Sequence, residues 1–465
     1  MKHCTPSARA SRQRGLAALA VVLLLFFIVS LVAAYTSRNL IFEQRTATNQ
    51  YRSTQAMETA EAGLGWALTL LNAGRITASC GVSTLAADTS FRERYLVTDA
   101  DTGYINPHRD ASSGNLAFAT CVRDGETWSC RCPAEGVELP AQPTSDGPHP
   151  AFRIAIVSEA SRPNLVRVYA NGCTRLAEDC LAFVPDMIVP TPTDTVVRAV
   201  APSGEAVAAI STAAALTGSV PAIERDGAKN VTVALPRDTL TVRGGISLPL
   251  GSQPLTVGRV GSDPGYTVRA GGSIDGVTAR GAPGTPDGTA DNQRAGDTAL
   301  SKLAVEDASL AGMRMFASVF MMRPEVFRDQ PAAIVMDCSS SACKGSALAG
   351  KIALNPGRPI WIEGDLLLDG SGEIGSAAAP VLIVVTGNVD FDSGGRTVNG
   401  LIYGRAADWQ LSGVPKVNGA LVAENNLVIA TDAGGSVYYD AAIVKRLATL
   451  TGSFVRVPGG WKDFP

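Results

Sequence analysis

The chain has 465 residues, enough for two or three folded units. Only 18% are charged, and 47 glycines with 27 prolines favour a turn-rich, β-rich fold over a helical bundle. A net charge of −3 argues against nucleic acid as a partner, because such binding draws its affinity from Lys and Arg on phosphates.

The first element in the chain is the most informative. Arg12-Gln13-Arg14-Gly15 precedes 19 uncharged, almost wholly apolar residues, Leu16 to Ala34. A run of this length crosses a bilayer core of ~30 Å as a helix. No Gly or Pro interrupts residues 16–62. The pattern therefore predicts one helix of about 45–55 residues, ~70–80 Å long at ~1.5 Å per residue. Beyond Ala34 the helix becomes amphipathic. Met57, Ala60, Leu64, Ala67, Leu68 and Leu71 form one apolar stripe suited to packing under a globular domain. Asn72-Ala73-Gly74 is the stop. Residues 1–15 hold Lys2, Arg9, Arg12 and Arg14 and no acid, so their removal takes the net charge from −3 to −7. That positive flank places the amino terminus in the cytoplasm. Two other starts fit the run: secretory cleavage after Val32-Ala33-Ala34, and an uncleaved signal anchor.

Arg14-Gly15-Leu16 ahead of the apolar run resembles the type IV prepilin signal. Ala60-Glu61-Ala62-Gly63-Leu64 is similar to the amino-terminal region of PilX-type minor pilins, and the two together cover residues 12–72. The resemblance implies a leader at 1–15, cleavage between Gly15 and Leu16 by prepilin peptidase, and N-methylation of Leu16. It implies a pilin helix at 16–72 with its transmembrane part at 16–34. The implied partners are the peptidase, other minor pilins, the major pilin, the inner-membrane assembly platform and a tip adhesin. The implied location is the inner membrane, with a periplasmic ectodomain, and then the pilus. There is one departure. Most major pilins of the family that this segment resembles carry Glu at the fifth mature position, where Ala20 stands here, and residues 16–34 hold no carboxylate. That points to a priming or tip subunit rather than a repeating shaft subunit. The K-type pseudopilin of type II secretion shares the feature and is the alternative within the class. A signal-anchored β-solenoid adhesin unrelated to pili is the alternative from another class.

Of nine cysteines, Cys4 lies in the leader, leaving eight on the exported side for up to four disulfides. Cys173 with Cys180, and Cys338 with Cys343, each close a short loop. The pairing among Cys80, Cys121, Cys130 and Cys132 is open, except that Cys130 and Cys132 are too close for an easy mutual bridge. No metal or cofactor is expected. Cys-X-Cys is not zinc spacing, and only His108 and His149 remain as imidazoles after the leader.

Residues 75–182 read as a cysteine-bearing β-rich domain, with strands at 117–122, 127–130, 152–158 and 165–170, a loop at 133–150 and a turn at 99–103. Residues 183–300 read as a β-rich, loop-rich region. Strands fall at 231–235 and 240–242, and 280–297 is a Gly/Pro/Asp-rich loop. Thr241-Val242-Arg243-Gly244-Gly245 and Thr267-Val268-Arg269-Ala270-Gly271-Gly272 are loosely alike. Residues 301–465 open with a helix at 303–322, whose Met313, Met315, Met321 and Met322 are read as core packing. Short apolar rungs follow. Val398-Asn399-Gly400-Leu401-Ile402-Tyr403 recurs 19 residues later as Val417-Asn418-Gly419-Ala420-Leu421-Val422. Such repeats predict a stacked β-solenoid, with an antiparallel sandwich as the alternative. The class is α+β. Residues 310–465, from Gly364-Asp365-Leu366 to Trp461-Lys462-Asp463-Phe464, resemble the carboxy-terminal region of large PilX-like proteins, which implies architecture and not chemistry. No enzyme is expected. The chain has no nucleophile elbow or P-loop, and Gly370–Gly375 opens no helix. Glu363, Asp365, Asp390 and Asp392 read as solvated acids.

Overall fold

The computed structural model describes residues 14–112, 114–159, 162–183, 206–218, 220–261, 265–281, 292–302, 308–392 and 394–462. The leader up to residue 13, Leu303, most of the 280–297 loop and the terminal Asp463-Phe464 lie outside them.

One helix, α1, runs from Arg14 to Leu71 over 58 residues. At ~1.5 Å per residue it is ~87 Å long, slightly more than the apolar pattern predicts. Its last four turns lie on a six-stranded antiparallel sheet. In spatial order the strands are Gly452–Arg456, Val207–Gly218, Leu165–Cys173, Ala151–Ser158, Ala119–Asp124 and Thr127–Arg131. The stripe predicted on the helix faces this sheet. Ala60, Leu64, Ala67 and Leu71 are buried with Phe152, Ile154, Val166, Val168 and Ile210 in a single core.

Apart from three short antiparallel pairs, at residues 75–90, 96–107 and 222–234, the remaining strands form a parallel β-helix in which every strand pairing is parallel. The strand Ile360–Leu368 shows how its corners form. Residues 360–362 pair with Val381–Val385 and residues 366–368 with Val389–Phe391. Between them the backbone turns at Gly364, where φ is +110°. Following the pairings gives three columns of stacked strands, the sides of a three-faced solenoid. Val398 stacks on Val417 and Asn399 on Asn418, so the 19-residue recurrence is the rung-to-rung register. Asn418 Nδ2 donates to Asn399 Oδ1 at 3.0 Å, a ladder that fixes this register. The interior is apolar, with Ile362, Leu366, Ile383, Phe391, Ile402, Trp409, Leu421 and Ile429 all buried.

The winding order differs from the chain order. The chain enters the stack in its middle at Leu240–Val242 and proceeds through Val268–Ala270 to Gln293–Arg294 at one end. It then crosses by the helix Ala308–Phe320 and restarts at the other end with Ile334–Lys344. From there it returns rung by rung until residues 421–423 meet 240–242. The expected division at 300/301 therefore falls inside one solenoid. The expected division at 182/183 is likewise crossed, because Val207–Gly218 and Gly452–Arg456 complete the helix-bearing sheet. A reading in sequence order groups neighbours in the chain, whereas these sheets join strands far apart in it. The solenoid is an insertion between the last two strands of the helix-bearing domain.

The helix Ala308–Phe320 covers one outer face of the solenoid through Met315, Phe316, Val319 and Phe320. Of the predicted methionine cluster, Met315 is buried and Met321 is 65% exposed.

Candidate assembly interface

The helix α1 has two halves of opposite character. From Ala17 it carries an 18-residue window of mean hydropathy 3.0, none of it buried. Leu19, Phe26, Phe27 and Phe42 are 60–70% exposed, and Leu40 and Ile41 are exposed beyond the polar residues 36–39. An apolar patch of this extent needs lipid or protein around it. Three threonine hydroxyls on this half are spent on the helix itself: Thr36, Thr46 and Thr48 each donate to the carbonyl four residues back. Gly15 and Leu16 lie in its first turn.

The second half is seated by small residues. Ala56, Ala60 and Ala67 have no exposed surface. Across from them stands Gly172 in the strand Leu165–Cys173, where a Cβ would collide with the Ala56 carbonyl and the Ala60 amide. Gly63 sits 2.9 Å, measured from the Cβ it lacks, from the Phe152 ring. So Ala60-Glu61-Ala62-Gly63-Leu64 divides by face. Ala60, Gly63 and Leu64 meet the sheet, and Glu61 and Ala62 face outward. Trp66 closes the contact edge-on to Phe91 and Phe152, at 5.7 and 5.4 Å between ring centroids.

The helix end is tied to distant parts of the chain. Asn72 Nδ2 donates to the Leu68 and Phe454 carbonyls, and Phe454 N donates back to Asn72 Oδ1 at 2.8 Å. Arg92 Nε donates to the Leu71 carbonyl, one of the acceptors a helix terminus leaves open, and its Nη atoms reach the carbonyls of Gly357 and Gly452. Burial of its guanidinium, with Arg358 nearby and only Glu93 opposing, lowers its pKa to about 10.

The disulfides staple this domain and one end of the solenoid. Cys173–Cys180 and Cys338–Cys343 form as the spacing predicts. The open set resolves as Cys80–Cys132 and Cys121–Cys130, the latter between directly opposed residues of neighbouring strands. Cys130 and Cys132 have different partners. Three of the acids read as solvated also have partners: Glu363 pairs with Arg328, Asp365 accepts from the Asn388 amide, and Asp390 accepts from Ser412.

The PilX N-terminal family model matches residues 14–64, the helix from its start to the buried Leu64. Residues 14–64 are thus similar to the amino-terminal region of PilX proteins. No curated protein matches the chain. Among solved structures, the competence-associated pilin ComZ from Thermus thermophilus is similar at 11% identity, over 89% of this chain and 97% of that one, with a TM-score of 0.20. The PilX-type segment ends where the helix has just reached the sheet, so it spans the whole exposed half and the first turns of the seat.

Proposed function

We propose that this protein is a minor pilin acting in type IV pilus assembly, as a primer or at the tip. The observation that carries the reading is the exposed apolar half of α1, lying within the matched segment and on the same helix as the seat of a folded domain. In this reading prepilin peptidase cuts between Gly15 and Leu16, and Leu16 is N-methylated. The helix rests in the inner membrane with its amino terminus cytoplasmic. On assembly it exchanges lipid for the helices of other minor pilins and the major pilin, at the assembly platform. Greasy surface thus passes from one apolar solvent to another without meeting water. The absence of a carboxylate at Ala20 and the bulk of the inserted solenoid both favour an end of the filament over its repeating shaft. The solenoid would then face outward and serve adhesion, directly or by holding an adhesin. The role is non-catalytic.

The test is mass spectrometry of the amino terminus in sheared pili. The expected species begins with N-methylated Leu16, and Gly15→Val should leave only the unprocessed form in the membrane. Material beginning at Tyr35, or normal incorporation of the Gly15 variant, would overturn the reading.

A further inference from the structure

The parallel register lines up one outward-facing column along the solenoid. It runs Val335, Trp361, Val384, Tyr403, Val422, Thr241, Arg269, Arg294. The column is apolar as far as Val422, and there the helix Ala308–Phe320 covers it, with Phe316 against Trp361 and Tyr403. At Thr241 the column becomes polar and the cover no longer fits. A cavity of about 500 Å³ remains between that helix and the rungs. This lies within the ~300–1,000 Å³ range of small-molecule sites.

The walls are of two kinds. Met315 and Val319 form an apolar side. Opposite stand Asp238, Thr241, Tyr266 and Arg269. Asp238 is 6% exposed and Thr241 5%. Asp238 Oδ1 accepts from the Tyr266 amide at 2.7 Å, while Oδ2 is 3.9 Å from Arg269, beyond hydrogen-bond reach. The Thr241 hydroxyl has no partner among the described residues. Burial raises the Asp238 carboxyl above its ordinary range, against the Tyr266 amide and the nearby arginines. The cations are answered by acids: Asp297 takes both Arg269 and Arg294, and Glu224 takes Arg237. Such a wall holds unspent acceptors beside donors, with little charge to offer an ion.

We infer that this cavity is a binding site for a neutral saccharide. A sugar hydroxyl both donates and accepts, so it can give to the Asp238 carboxylate and receive from Arg269. The sugar's C–H face fits the Met315 and Val319 side, while its hydroxyls meet the Asp238 and Arg269 wall. A buried wall built for hydroxyls discriminates strongly against ligands that lack them.

The test is saturation-transfer difference NMR on the chain Met1–Pro465 in a detergent without a sugar headgroup. The probes are D-glucose, D-galactose, D-mannose and N-acetylglucosamine at millimolar concentration, with D-glucuronate as the charged comparison. At least one neutral sugar should show transfer. Asp238→Asn should weaken it about tenfold, and Ser318→Trp, which fills the cavity from an exposed helix position, should abolish it. Circular dichroism melting of both variants shows that the fold is retained. No transfer from any neutral sugar, transfer confined to glucuronate, or transfer unaffected by Ser318→Trp would overturn the inference. The measurement is independent of Gly15 processing, so either reading can fail alone.

Discussion

Arg153 is 2% exposed, in the middle of the helix-bearing sheet, and its guanidinium grips Glu178 at 2.6 and 2.7 Å. That hydrogen bond holds the Glu178 carboxyl below its ordinary range, against a smaller burial effect. The folded state therefore binds fewer protons than the unfolded chain below the unfolded value. The stability so gained is complete above the unfolded pKa and is lost as pH falls through the lowered folded one. Glu178→Gln should cost about 1–2 kcal/mol at pH 6, and the difference from the parent should narrow toward pH 3, measured by urea unfolding. The acid is half exposed, which keeps the figure small. In sequence the two residues are 25 apart with nothing to couple them, so this pair was not legible there.

At the scale of elements, the fit of helix to sheet rests on missing side chains. Gly172→Ala puts a methyl into the backbone of α1, which cannot yield without lifting the helix. It should cost about 2–3 kcal/mol by thermal or urea unfolding. Gly65→Ala is the contrast: nothing lies near its Cβ, and the change should stabilise by roughly 0.5–1 kcal/mol. The helix itself was legible, because an unbroken apolar run and a three-four stripe admit few other structures. The rungs at Val398 and Val417 were legible for a similar reason: a repeat in sequence becomes a repeat in space. The strand Val207–Gly218 was not. Its Val-Ala-Ala-Ile-Ser-Thr-Ala-Ala-Ala-Leu-Thr-Gly has weak strand propensity, and it is a strand because neighbours on both sides supply the hydrogen bonds. The saccharide cavity was hidden too. Thr241 and Arg269 appeared as members of a loose repeat, and only the register shows them adjacent below the end of a helix.

At the scale of the molecule, Asn72 and Gly452–Arg456 close the structure. Asn72 fills both backbone needs of Phe454, 382 residues away, in a buried place where water cannot substitute. Asn72→Ala should lower stability by about 1–3 kcal/mol. It should also raise hydrogen exchange at the amides of 452–456 before those of 165–173, because an outer strand opens before an inner one. The long-range closure left no mark in the sequence, since a pairing between strands either side of an insertion has no local pattern. The order of winding has a consequence for resistance to proteolysis. Both stems of the solenoid are knitted into the same sheet, and its first-made rungs are wedged against its last-made ones. A protease that nicks one exposed turn of the solenoid severs the polypeptide but sheds nothing, since each fragment keeps its own root.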